Sequence, residues 1–322
     1  MNPDLLRDLP GVLSFQRGLP AVDWRGLNQY LKRTYRGKDV ELGRVYRALE
    51  QDFLRELARA FNARRAGGAR YRLHGGRNFD FLSSARPATI AGLSAFAEST
   101  RKKILRALPN AAADDGHGAH VVLLLASDRE YRAYNARYES HSGIGATRAS
   151  ATVGFYTNEG FGHFVIRHHD RKRTDRILTH ELTHACLAHL PAPDWLHEGV
   201  ACVMERALGS GQACTGALNV DASLPSRRAR SRLLSFWREA DHKDAFRTGR
   251  GFYEGGTRRT DHVREACFAL AEGLAAHWFK RRRSDLVRLL REAHFRDGGR
   301  RALRTLFPES SDPVLDFLRA GE

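Results

Sequence analysis

Cysteine is scarce in this sequence: Cys186, Cys202, Cys214 and Cys267 are the whole complement in 322 residues, and no two form a CxxC pair. That excludes the disulfide framework that staples small secreted domains, and leaves the thiols to pack as small hydrophobes. Long apolar runs are missing too. Nothing approaches the roughly 20 consecutive apolar residues that cross a bilayer, so no membrane span is expected. The first residues, MNPDLLRDLPGVLSF, carry acids where a signal peptide carries positive charge, and no long apolar stretch follows. A cytoplasmic, reducing setting is the expectation. Acidic charge is the third deficit: 37 Asp and Glu stand against 53 Lys and Arg, a net charge of +16. Such a balance favours an acidic partner or nucleic acid. The bases are scattered, however, apart from short runs at Arg171 to Arg173, Arg227 to Arg232 and Arg281 to Arg283, as on a solvated basic surface.

The periodicities predict an α+β fold. Between Val40 and Phe61, Leu42, Val45, Tyr46, Leu49, Phe53, Leu57 and Phe61 recur at the spacing of one helix face. A shorter helix is expected at Val22 to Tyr35, with Asp23 near its start, so residues 1–70 read as an accessory helical region. Residues 71–322 read as the catalytic domain. Its first part carries short strands at Tyr71 to Leu73 and Phe79 to Leu82, a helix at Ala88 to Leu108, and a buried strand at His120 to Ala126 followed by a helix that Ser127 or Asp128 caps. Ala151 to Tyr156 and Gly162 to Arg167 flank the turn signal TNEGFG and read as a hairpin. From there the pattern is helical, near 175–190, 195–208, 228–239, 261–280, 284–295 and 312–319, with loops at 209–226 and 241–260. Strands first and helices afterwards give a short mixed sheet followed by a helical half.

The segment with chemistry is His180-Glu181-Leu182-Thr183-His184. On a helix the two histidines lie four residues apart on one face and can offer their nitrogens to one metal ion. Glu181 stands about 100° further round, beside the metal without ligating it, where a carboxylate can take a proton from water and return it to a leaving group. Composition alone yields such a pattern by chance in roughly 4% of chains like this one, so the context decides. Leu178, Leu182, Ala185 and Leu187 make the helix a buried one, with Thr174 and Asp175 as its possible caps. Buried imidazoles and a buried carboxylate need partners, which one Zn2+ per chain supplies. A catalytic zinc needs a third protein ligand. Past the turn Pro191-Ala192-Pro193-Asp194, a second helix offers Glu198, with the adjacent His197 as competitor. Glu205 falls two turns further on the same face, placed to orient a ligand histidine. Gly199 is expected to let this helix pack closely on the first. Cys186 and Cys202 are expected to approach each other near the site as a packed thiol pair.

The combination of HELTH, a short proline turn and PDWLHEGVA resembles the gluzincins, the thermolysin-like clan of zinc peptidases. Within that clan it is most similar to a compact bacterial branch whose third ligand is the Glu of a WLxEG helix. The resemblance spans about residues 77 to 318, is specific over 177–206, and leaves residues 1–70 outside. It implies zinc on His180, His184 and Glu198, Glu181 as general base, and a peptide or protein substrate lying along an edge strand at Gly162 to Arg167. It also implies a tyrosine or histidine for the oxyanion. Where relatives carry that tyrosine this chain has Asp261-His262-Val263, so Tyr253, His262 and Tyr156 are the candidates.

Two other functions fit parts of the sequence. The net charge of +16 accommodates a nucleic-acid-associated protease of the SprT-like kind, which shares only the HExxH pattern. A non-catalytic, zinc-containing nucleic-acid-binding module is the other, although a purely structural site has no need of Glu181.

Overall fold

The fold is α+β, with strands and helices interleaved up to Arg167 and only helices among the described residues beyond it, in a computed structural model that describes residues 12–16, 18–65, 68–114, 119–136, 154–157, 162–209, 227–253 and 257–320. The chain forms two compact units, one of residues 1–99 and 115–178, the other of residues 100–114 and 179–322.

The first unit opens with an antiparallel hairpin, β1 (Leu13–Gln16) and β2 (Leu19–Val22), whose turn passes Gly18 at φ +71°. Such a backbone suits glycine, which has no Cβ to clash. Helix α1 (Trp24–Thr34) starts as expected, its Gly26 N–H donating to the Asp23 carboxylate at 3.0 Å. In α2 (Asp39–Ala63) the periodic face is the buried one: Leu42, Tyr46, Leu49, Phe53, Leu57 and Phe61. That face shares a core with Leu123, Leu125 and Val165 of a five-stranded sheet.

The sheet comprises β3 (Arg72–Gly75), β4 (Phe79–Ser83), β5 (His120–Leu125), β6 (Gly154–Thr157) and β7 (His163–Arg167), in the order β3-β4-β5-β7-β6. β4, β5 and β7 run parallel, and β3 and β6 close the ends antiparallel. Helices α3 (Pro87–Ala107) and α4 (Asp128–Asn135) follow β4 and β5, and Ser127 caps α4 through the Glu130 N–H. Val121 to Leu125 are all buried, as expected of a central strand. The hairpin of β6 and β7 is present, but the expected edge strand is misplaced. β7 is bonded on both sides, to β5 and to β6, so no extended chain can add to it; β6 ends the sheet. Ala151 to Val153 and most of the TNEGFG turn lie outside the described residues.

Helix α5 (Arg171–Leu187) passes from the first unit into the second. It begins earlier than expected. Asp170 is the cap, its carboxylate accepting the Arg173 N–H at 3.0 Å, while Thr174 and Asp175 lie inside the helix. Next come α6 (Asp194–Leu208), α7 (Arg227–Arg238), α8 (Ala240–Arg247), α9 (Arg250–Tyr253), α10 (Arg258–Arg281), α11 (Arg283–Glu292), a short 3-10 turn (Phe295–Asp297), α12 (Arg300–Leu306) and α13 (Pro313–Arg319). The 241–260 stretch is thus not a loop, since α8 and α9 occupy much of it. The 209–226 loop lies outside the described residues but for Gly209.

In the second unit α6 packs most extensively on α10. A Cβ on Gly199 would stand 2.4 Å from the Ala271 carbonyl oxygen. The close approach that glycine permits is therefore to α10, not to α5. No described helix is long and apolar enough to cross a membrane.

Candidate metal centre

Helix α5 presents His180 and His184 one turn apart, held in place by the buried Leu182, Cys186 and Leu187. The helix ends at Leu187, whose carbonyl accepts from the Leu190 N–H at 2.9 Å, and the extended backbone of Pro193 then starts α6. Proline suits that place because it has no N–H to leave unpaired. On α6, Glu198, Cys202 and Glu205 follow at i, i+4 and i+7, so they share one face.

Three side chains converge. His180 Nε2 lies 3.2 Å from Glu198 Oε2, His184 Nε2 lies 3.4 Å from the same oxygen, and the two Nε2 atoms are 3.1 Å apart. Ligands about 2.0–2.1 Å from a tetrahedral ion stand about 3.3–3.4 Å from one another. The triangle is therefore close to the right size for a metal ion capping it. His197, the competing ligand, is not part of it; its ring centre is 6.3 Å from that of His184.

The hydrogen bonds explain why positive charge belongs there. Glu205 Oε2 lies 3.1 Å from His180 Nδ1, and a carboxylate only accepts, so Nδ1 carries the hydrogen. In the neutral ring Nε2 is then a bare lone pair, facing a carboxylate oxygen and a second imidazole nitrogen. A proton or a metal ion resolves that clash of acceptors. Burial lowers the affinity of His180 for a second proton, but hydrogen bonds with Cys202, Glu198 and Glu205 outweigh it and carry its pKa well above the ordinary value. Burial likewise pushes Glu198 upward, yet the charge of His184 and hydrogen bonds from both histidines hold it well below the usual carboxylate range. His197 moves the other way, down to about 4, through burial and then repulsion by His184. The residues fit a metal ion: two nitrogens, one carboxylate and a partner that fixes the tautomer.

Glu181 is buried beside His180 on α5. Of the three oxyanion candidates, Tyr253 reaches the cluster, its hydroxyl donating to Glu198 Oε1 at 3.3 Å. His262 lies in the second turn of α10. Tyr156 sits on β6 in the first unit, its ring 5.4 Å from Phe164. Cys202 stands on the same face of α6 and adds to the upward shift of the His180 pKa, a proximity that its i, i+4 spacing from Glu198 signals. Cys186 is fully buried, and its carbonyl accepts from the Ala113 N–H at 2.9 Å. Asp170 alone supplies the cap of α5, and Cys214 lies outside the described residues.

Comparison with protein-family models finds none that matches this chain, and no curated protein sequence matches it.

Proposed function

We propose that the chain is a zinc-dependent hydrolase of peptide bonds, with His180, His184 and Glu198 as the metal ligands and Glu181 as general base and acid. The observation that carries this reading is the triangle of His180 Nε2, His184 Nε2 and Glu198 Oε2, three acceptors facing one another at 3.1–3.4 Å. The gluzincin resemblance of the same residues supports it. A zinc ion held there supplies Lewis acidity, which acidifies a water and polarises a carbonyl.

The chain's own groups account for the remaining chemistry. Glu205 holds His180 in the tautomer that leaves Nε2 free to ligate. Glu181 accepts the proton of the attacking water and delivers it to the departing amine, so that the amine leaves neutral. Tyr253 is the donor we assign to the developing negative charge on the carbonyl oxygen, because its hydroxyl already lies at the cluster. Retention of Glu181 favours an enzyme over a structural zinc module, since a structural site gains nothing from a buried base.

Glu181→Gln tests the reading, with zinc content and hydrolysis of a quenched peptide library measured on the same preparation. Zinc retained and hydrolysis abolished is the expected outcome. Hydrolysis equal to that of the wild type would refute the role of Glu181.

A further inference from the structure

The second unit contains a cavity of about 120 Å³, several times the space one water needs, bounded by α6, α7, α8, α12 and α13. Its floor is apolar, formed by Trp195, Trp237 and Phe246, and its rim is cationic, formed by Arg247, Arg300 and Arg304. One carboxylate, Asp312, also lines it, and that carboxylate is already engaged. Its Oδ2 accepts from Trp237 Nε1 at 2.9 Å and from Lys243 Nζ at 3.1 Å, and its Oδ1 accepts from the Leu315 N–H at 3.3 Å.

The three arginines, by contrast, form no ion pair among the described residues. Arg300 donates its Nε to the Asp297 carbonyl, and Arg247 lies over the Trp237 ring at 5.3 Å. Burial and then the charges of Arg300 and Arg304 weaken the hold of Arg247 on its proton, against the pull of Asp312 and Asp244. Packing like charges round a cavity is unfavourable unless something of opposite sign enters it. Gly298, at φ +60°, helps to form the wall, where a Cβ would stand 2.8 Å from the Arg247 carbonyl oxygen.

We propose that this cavity binds a phosphate group, either free phosphate or the phosphate of a small ester. Three arginines lining one space match a tetrahedral dianion better than a single carboxylate, because a guanidinium can bond two oxygens at once and the surplus charge exceeds one. The site is separate from the metal triangle and does not depend on the hydrolase reading. It is not remote in the chain, however: Trp195 precedes Glu198 by three residues on α6 and donates its Nε1–H to the Gly298 carbonyl at 3.1 Å. A bound anion therefore rests against the helix that carries the third ligand.

The test is isothermal titration of inorganic phosphate, methyl phosphate and acetate into the full chain, with ionic strength held constant by chloride. Wild type should bind phosphate saturably at one site, and Arg247→Gln and Arg304→Gln should each weaken it by about tenfold or more. Arg258→Gln, at the exposed start of α10, should leave binding unchanged. Methyl phosphate binding as well as phosphate would identify an ester as the ligand, and its exclusion would identify the free anion. Should Arg247→Gln fail to fold, the exposed Arg304 carries the test alone. Absence of saturable phosphate binding, acetate binding as tightly as phosphate, or an equal loss with Arg258→Gln would overturn the proposal.

Discussion

Glu205 receives the Nδ1–H of His180 at 3.1 Å while the opposite nitrogen of the same ring points at Glu198 Oε2 at 3.2 Å. One imidazole is thus held at both ends by carboxylates from one face of α6, two turns apart. Glu205→Gln keeps an acceptor but removes its charge. Metal affinity should fall by roughly tenfold, at the lower end of what such outer partners contribute, with the fold intact. Chelator competition followed by circular dichroism measures both quantities, and unchanged affinity would mean that Glu205 does not orient the ring.

Tyr253→Phe removes the hydroxyl that reaches Glu198 Oε1 and leaves the three ligands in place. On the proposed mechanism zinc content stays at the wild-type level while kcat for peptide hydrolysis drops by roughly 100-fold and KM changes little. A loss confined to KM would make Tyr253 a binding residue instead.

Gly199→Ala places a methyl group 2.4 Å from the Ala271 carbonyl oxygen and 3.2 Å from the Ala275 Cβ. Neither is the end of a flexible chain, so α6 and α10 must move apart. Stability should fall by about 1–3 kcal/mol, read from urea unfolding. Because Glu198 is the preceding residue, metal affinity should weaken in the same variant.

Glu50 gives the first unit a pH dependence. Burial, and then the charge of Asp80, raise its pKa from 4.5 to about 7 against the opposing pull of Arg47. The folded chain therefore binds a proton that the unfolded chain has already released between those two values. Stability falls as pH rises through that window, and the full loss is reached above about pH 7. Glu50→Gln should flatten this part of the curve and be more stable than wild type at about pH 8, by a margin on the order of 1–3 kcal/mol. Thermal unfolding from about pH 5 to 8 checks it; parallel curves for the two proteins would exclude the effect.

What could be read from the sequence was local. The buried faces of α2 and β5 follow from a 3.6-residue period and a continuous apolar run, and both elements form where those patterns place them. His180 and His184 were legible for the same reason, lying one helical turn apart; past the proline turn the spacing leaves Glu198 and His197 both open, and the gluzincin resemblance favours Glu198. Elements held by distant packing were not legible. In α8 only Ala245 and Phe246 are buried, too few for a period, and Phe246 is fixed by Trp195 stacked at 5.6 Å. The β1–β2 hairpin has four-residue strands, too short for alternation to register. Strand order is non-local as well: the edge strand that the resemblance implies at Gly162 to Arg167 is interior, and β6 occupies the edge. The choice of Tyr253 depends on where α9 sits, 55 residues beyond Glu198.

The most direct test of the metal centre is elemental analysis after dialysis, with wild type, Glu198→Ala and His197→Ala prepared side by side in zinc-replete medium. One zinc per chain in wild type and in His197→Ala, with loss in Glu198→Ala, is the predicted result. Little metal in wild type, or loss with His197→Ala and retention with Glu198→Ala, would contradict the site.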